Sequence, residues 1–381
     1  MQRLPMTSHP EMQAKLLFDQ GVQAFEARAF EEALGYLEQS LALDADNTDT
    51  WCCRGLVLGH LKRYAESVDS FDQALQRTPT DHTALYNKGL VLAEWQKHQA
   101  AVEAFTQLLE YYPHDYRAWD AKGTAFMNLG RHNDALNAYD RAVEFNPDGY
   151  MALVNRASAL TALKRYKGAI RSLNQALHMN PDESTGWYNR GCIYMAQEDP
   201  DQAIPDFQKA IELNLENTSA WINLGNMYGQ KGEETEALRC YQKAVEINPN
   251  DTHAWNNQGI TLRRLGRVKE AIAAYDRAIA ADPNNYEAWD NRGYALAKLH
   301  KYREAHASID QSLKIKPDHA NGIYNKGYCY ACEGKTALAV DHLAQAIRLN
   351  PSRYLPAAKT DPDLESLRKN KRFQAVLNGK F

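Results

Sequence analysis

The chain has 381 residues, 44% apolar and 24% charged, with a formal net charge of −4 and a pI near 6.3. That balance gives no bulk attraction to phosphate polymers, which argues against nucleic acid as the partner. The longest apolar runs fall short of the roughly eighteen residues that a membrane helix needs, and the start MQRLPMTSHPEMQAK lacks the apolar core of a signal peptide.

A cytoplasmic protein with no membrane span is therefore expected. The six cysteines, Cys52, Cys53, Cys192, Cys240, Cys329 and Cys332, are dispersed along the chain, as suits a reducing compartment, and are not spaced as a disulfide framework.

Residues 1–13 form a lead-in, after which a 34-residue unit recurs ten times without insertion or deletion. The units are 14–47, 48–81, 82–115, 116–149, 150–183, 184–217, 218–251, 252–285, 286–319 and 320–353. Position 8 reads Gly21, Gly55, Gly89, Gly123, Ala157, Gly191, Gly225, Gly259, Gly293 and Gly327; position 20 is alanine in every unit but the second, which has Ser67. An unbroken period of this length means one elongated domain whose units contact mainly their neighbours, and hence an extended binding surface.

The seventh unit, Thr218 to Asp251, shows the local fold. Trp221, Leu224, Gly225 and Tyr228 share one helical face, Lys231-Gly232-Glu233 breaks that helix, and a second apolar face runs through Ala237, Leu238, Tyr241, Ala244, Val245 and Ile247. Pro249 cannot continue the second helix. A glycine inside a helix costs about 1 kcal/mol relative to alanine, so the one at position 8 implies a close approach of the second helix, met by the small residue at position 20. Aromatic residues at position 4 (Trp51, Trp119, Trp187, Trp221, Trp255, Trp289) and position 24 (Phe71, Phe105, Tyr139, Phe207, Tyr241, Tyr275) are expected to fill the space between helices.

Trp-x2-Leu-Gly-x2-Tyr followed by Ala, an aromatic, Ala and Pro resembles the tetratricopeptide repeat (TPR), over about nine-tenths of the chain. The resemblance implies an all-α, right-handed superhelix of helix hairpins whose concave wall is built by the first helices, working as a protein-interaction scaffold. Ala45 and Leu215 replace the terminal proline of units 1 and 6, and Pro205 lies about a turn into the second helix of unit 6, where a bend or altered stacking is expected. Residues 354–381 resemble the helical cap of bacterial TPR arrays, with Asp361-Pro362 as a helix start, Leu364, Leu367, Phe373, Val376 and Leu377 as the apolar face, and Arg368, Lys369, Lys371 and Arg372 on a solvated face.

Position 6 carries Asn87 and then, in six consecutive units, Asn155, Asn189, Asn223, Asn257, Asn291 and Asn325. An amide both donates and accepts, so such a row can pair with the backbone of an extended peptide. It resembles the asparagine ladders of the O-GlcNAc transferase superhelix and of peroxisomal targeting-signal receptors. Family geometry points positions 2, 5, 9, 12 and 13 into the same groove. In the C-terminal half these supply Tyr188, Asn226, Asn256, Arg263, Arg264, Asp290, Tyr294, Lys298, Tyr324 and Tyr328, residue types enriched at interface hot spots among them. The N-terminal half offers Phe18, Phe25, His60, Tyr86, Glu94, Arg117 and Asp120, and the C-terminal half is expected to be the principal site.

No unit has Lys or Arg at position 5, which argues against the carboxylate clamp of chaperone-binding TPR domains. Cys329 and Cys332 face one side of a helix, but no second ligand pair with finger-like spacing accompanies them, so a packing role is expected and no metal. The twelve histidines form no His-Glu-x-x-His cluster, the recurrent glycines lie inside helices and so cradle no phosphate, and no nucleophile motif occurs. The reading is a non-enzymatic scaffold without cofactor, holding a protein or extended peptide in its groove, with two alternatives: an RNA-binding helical-repeat protein and a self-associating structural one. Recruiting clients, assisting assembly of a multi-subunit complex and tethering the components of one are the kinds of work open to such a scaffold, and the sequence selects none of them.

Overall fold

A computed structural model of the chain describes residues 9–379, and every regular element among them is helical. The lead-in up to residue 8 and the last two residues of the cap lie outside the described residues. The chain divides within the sixth repeat into two compact units, Met1–Ile193 and Tyr194–Phe381. The first contains helix pairs His9–Glu26 with Phe30–Leu43, Thr48–His60 with Tyr64–Arg77, His82–Glu94 with His98–Tyr111, Tyr116–Asn128 with His132–Phe145, and Tyr150–Ala162 with Tyr166–Met179. The second contains Pro200–Leu213, then Thr218–Gln230 with Glu234–Ile247, Thr252–Arg264 with Val268–Ala281, Tyr286–Lys298 with Tyr302–Ile315, and Ala320–Cys332 with Thr336–Leu349. Helix Ser184–Ala196 carries the division itself. The second helix of repeat 6 runs unbroken through Pro205, with Pro200 in its first turn and Asp199 capping it.

Each first helix ends in the same way. Position 15 has a positive φ in all ten repeats, at Arg28, Lys62, Gln96, Gly130, Lys164, Glu198, Gly232, Gly266, His300 and Gly334. The following amide then reaches back to the carbonyl of position 11, as Glu233 does to Tyr228 at 2.9 Å, closing a Schellman-type cap. Glycine occupies only four of these sites, so most repeats accept the strain of a left-handed side-chain-bearing residue. The next helix is opened by position 34, where Asn47, Asp81, Asp115, Asn217, Asp251 and Asn285 accept a bond from a first-turn amide.

The glycine at position 8 meets a different residue from the one expected. A Cβ there would lie 2.7 Å from the Phe71 ring at Gly55, 2.5 Å from Phe105 at Gly89, 2.6 Å from Tyr139 at Gly123 and 2.4 Å from Tyr275 at Gly259. The side chain at position 24 therefore fills the space, while position 20 contributes its carbonyl oxygen, as Ala305 does 3.0 Å from that point at Gly293.

Polar ties join consecutive repeats. All six position-4 tryptophans donate the indole N–H to the carbonyl of the residue six earlier, at 2.8 to 3.0 Å. Because the acceptor is backbone, Ala45 and Leu215 serve as well as the prolines at the other four sites. Position 7 bonds backward to position 25 of the preceding repeat: Arg54 to Glu38, Lys88 to Asp72, Arg156 to Asp140, Arg292 to Asp276 and Lys326 to Asp310.

The cap begins earlier than the sequence implies. Pro351 opens a helix, Pro351–Thr360, whose cap is Asn350, and Asp361-Pro362 opens a 3-10 segment, Pro362–Lys369, before the final helix Lys371–Leu377. A proline that cannot extend one helix is suited to the first position of the next. Leu364, Leu367, Phe373 and Val376 are buried as expected, but on two elements.

The close approach at position 8 sets a contrast between two glycines. Gly259→Ala should lower the thermal midpoint, by the roughly 1–3 kcal/mol typical of overpacking, because Tyr275 has nowhere to go. Gly35, inside helix Phe30–Leu43 with nothing within 4 Å of its Cβ position, should gain up to about 1 kcal/mol from the same change. Circular dichroism melts of the two variants check the signs.

Candidate functional site

Of the sixteen residues singled out from sequence, Asn155, Tyr188 and Asn189 belong to the first unit and the other thirteen to the second. Four of the position-6 asparagines reach backward along the stack, whereas Asn87 donates to the Thr83 carbonyl of its own helix. Asn155 Nδ2 donates to both carboxylate oxygens of Asp120 at 3.0 and 3.2 Å, Asn291 Nδ2 to Asn256 Oδ1 at 3.0 Å, and Asn325 Nδ2 to Asp290 Oδ1 at 2.9 Å. In each case position 6 reaches position 5 of the preceding repeat. Asn257 Nδ2 instead finds Asn226 Oδ1 at 3.2 Å, and that oxygen also accepts from the Tyr241 hydroxyl. A carboxylate only accepts, so the amides of Asn155 and Asn325 must point their NH2 groups inward. Asn189, Asn223 and Tyr188 are half-buried on the first helices of their repeats.

Burial divides the expected groove residues. Asp290 is 1% exposed and accepts from His319, Asn321 and Asn325, while Asn256 and Asn325 are also buried. In the first unit, burial pushes the Asp120 carboxyl above its ordinary range, and the Asn155 bond opposes that shift.

Arg263, Arg264, Asn291, Tyr294, Tyr324 and Asn325 line one hollow of about 600 Å³ in the second unit. Its remaining wall comes from Ile260, Asn321 and the stretch from Arg353 to Pro362, including Tyr354 and Asp361. The Arg263 guanidinium lies 5.0 Å from the Tyr294 ring centre, Tyr324 stacks on Tyr354 at 5.1 Å, and Arg353 lies over the Tyr354 ring at 5.4 Å. Arg264 pairs with Glu234 at 3.1 Å and is half exposed. The Tyr324 hydroxyl is buried without a hydrogen-bond partner. Asn321 stands at position 2, already a groove position, whereas Arg353 and Tyr354 lie where the period stops and carried no signal of a role in the wall.

Lys298 and Tyr328 have a partner within the chain. Asp363, on the 3-10 segment of the cap, pairs with Lys298 and accepts from the Tyr328 hydroxyl at 2.6 Å, beside the Tyr294 ring that lies 5.0 Å from that of Tyr328. The first unit has its own hollow, about 420 Å³, lined by Tyr86, Arg117 and Asp120 together with Leu90, Phe105, Tyr116 and Met151.

The Asp363 contact predicts a pH dependence of the cap. The Lys298 ammonium, and after it the Tyr328 hydroxyl, hold the Asp363 carboxyl below the usual carboxylate range. A depressed carboxyl contributes its stability above the unfolded value, about pH 3.9, and loses it as pH falls through the folded one. Amide protection of residues 362–377, corrected for intrinsic exchange, should therefore hold from neutral pH to about pH 4 and fall below it. Asp363→Asn should weaken protection at neutral pH and flatten that profile.

Two tetratricopeptide-repeat family models match the chain, one over residues 18–82 and 121–184 and the other over 83–115. The model of the cilia and flagella-associated protein 70 C-terminal domain matches residues 183–360. No curated protein matches the sequence. Among solved structures, YrrB, described as a TPR protein with an unusual peptide-binding site, is 27% identical, with 50% of this chain and 98% of that one covered and a TM-score of 0.45. MamA is 22% identical over 44% of this chain and 92% of its own, at a TM-score of 0.41. Cut9–Hcn1 of the APC/C is 17% identical over 92% of this chain and 76% of that one, at a TM-score of 0.50, a likeness of fold alone.

Proposed function

Because the chain belongs to the tetratricopeptide-repeat family, we propose that it is a non-enzymatic scaffold that holds an extended, acidic peptide segment of a partner protein against the first helices of repeats 8 to 10. The carrying observation is the composition of the hollow: three guanidiniums, Arg263, Arg264 and Arg353, and three phenol rings, Tyr294, Tyr324 and Tyr354, against a single carboxylate, Asp361. Guanidiniums recognise carboxylates through paired hydrogen bonds, and tyrosine and arginine are the side chains that carry interface energy.

The asparagine ladder acquires a narrower role in this reading. Asn291 and Asn325 commit an NH2 group to the preceding repeat, which fixes the amide plane and leaves Oδ1 as a pre-oriented acceptor for peptide N–H groups. The ladder would then supply acceptors and the arginines would supply specificity. An assembly role for a multi-subunit complex is the kind of work such a scaffold would do.

Single-stranded RNA is the competing ligand, since bases stack on the same rings and guanidiniums. The full chain should bind synthetic peptides rich in Asp and Glu more tightly than neutral peptides of equal length, with affinity falling as salt rises. The double change Arg263→Ala and Arg264→Ala should weaken that binding at least about tenfold, or 1.4 kcal/mol. Equal affinity for acidic and neutral peptides, indifference to the double variant, or preference for RNA in fluorescence anisotropy would each overturn the proposal.

A further inference from the structure

We infer that His306, Cys329 and Glu333 form a three-ligand site for a zinc-type divalent transition ion, a centre that the sequence spacing did not reveal. His306 Nε2 lies 3.5 Å from Cys329 Sγ and 2.8 Å from Glu333 Oε2, and one ligand atom from each residue falls within 4.8 Å of the others. Tetrahedral zinc, with bonds of about 2.0 Å to nitrogen and about 2.3 Å to sulfur, sets its nitrogen and sulfur ligands about 3.5 Å apart and its nitrogen and oxygen ligands about 3.3 Å apart. The sulfur edge already matches, and the carboxylate needs to retreat by only about half an ångström.

The repeat supplies its own control. His306 stands at position 21, which is Leu34, Val68, Val102, Leu136, Ile170, Ile204, Leu238, Ile272 and Val340 elsewhere, aliphatic every time. Cys329 is at position 10 and Glu333 at position 14. The matching trio is wholly apolar at five of the other eight junctions, as in Leu34, Val57 and Leu61, in Leu136, Ala159 and Leu163, and in Ile272, Ala295 and Leu299, while the remaining three carry one non-ligating polar residue each, Gln197, Lys231 or Thr261. Hydrocarbon is thus enough for packing at this place in the fold, as five junctions show, and no other junction puts a histidine, cysteine or carboxylate there. Only at the last junction do three metal-ligating side chains converge there, with Cys329 fully buried and the His306 and Glu333 side chains 17% and 16% exposed. Burying such groups costs stability relative to apolar residues of similar size, and the His306 Nδ1 is left buried without a partner.

The donor set suits a cation: the Glu333 carboxylate, the His306 ring nitrogen and the Cys329 thiol with its proton converge in one place. A divalent ion displaces that proton to solvent, takes the thiolate, the neutral imidazole Nε2 and the carboxylate as ligands, and leaves a fourth position for water or a group from a partner. Nitrogen, sulfur and oxygen donors together favour zinc over calcium or magnesium. Lys335, bonded to Glu333 at 3.2 Å, is half exposed and can turn away into solvent. Cys332 is not required.

The test is titration of the chelator-treated full chain with Co²⁺, then Zn²⁺. The expected result is one equivalent of Co²⁺ bound with a thiolate-to-metal charge-transfer band and the visible bands of a four-coordinate ion, all bleached by Zn²⁺. His306→Leu and Cys329→Ala, which install residue types found at other junctions, should fold with midpoints no lower than the metal-free chain and lose the charge-transfer band. Glu333→Leu should weaken binding at least about tenfold, the loss that follows even from removing an outer-shell partner. Cys332→Ser should bind normally. Absence of a thiolate band in the unaltered chain, or a band that survives Cys329→Ala, would overturn the inference.

Discussion

The structure depends on how closely two helices of one repeat can approach. Where position 8 is glycine, the ring or branched side chain of position 24 lies in the volume a Cβ would need, 2.4 to 2.9 Å from it at every such site described. This close approach lets a helix of thirteen or fourteen residues bury Phe71, Phe105 or Tyr275 completely. Each such ring removes about 150–250 Å² from water. A 34-residue hairpin has no other core to draw on, so the helix cost of the glycine, about 1 kcal/mol, is small beside what the contact returns.

Apolar packing holds each hairpin together, while polar groups index one hairpin against the next. The indole bonds from position 4, the ion pairs from position 7 and the amide bonds from position 6 each run from a repeat to its predecessor. The indole bonds and the ion pairs use an acceptor at a fixed sequence separation, and the amide bonds do so at Asn155, Asn291 and Asn325 but not at Asn257, so the same residue types recur largely in phase along the chain. The exposed ion pairs contribute little energy singly. The bonds of Asn325 and Asn321 to the buried Asp290 matter more, because an unpaired carboxylate there would retain its full desolvation cost.

The last two repeats depart from this pattern in a connected way. The 3-10 segment of the cap sets Asp363 on Lys298 and Tyr328, the helix before it supplies Arg353 and Tyr354 to the wall of the hollow, and the junction beneath holds His306, Cys329 and Glu333 in place of hydrocarbon. A terminal repeat exposes the face on which another would stack. Here that face is covered by elements that also contribute charge and aromatic surface, so closing the array and shaping its candidate site are one arrangement of residues.

Periodicity determined the helices, their order and the close approach at the position-8 glycine, because a 3.6-residue pattern and a 34-residue phase report local geometry directly, but which side chain fills that approach, position 24 and not position 20, was decided by packing. That Arg263, Arg264, Asn291, Tyr294, Tyr324 and Asn325 share one surface was likewise legible, since fixed positions of a regular repeat fall on a fixed face. Tertiary structure decided the partners. Asn291 meets Asn256 and Asn325 meets Asp290 because stacking brings position 6 over position 5 of the preceding repeat, at a separation of 35 residues that no local window contains. Asp363 reaches Lys298 across 65 residues for the same reason, and Cys329 finds His306 rather than Cys332 as its polar neighbour because the ligand atoms converge between two helices, not along one.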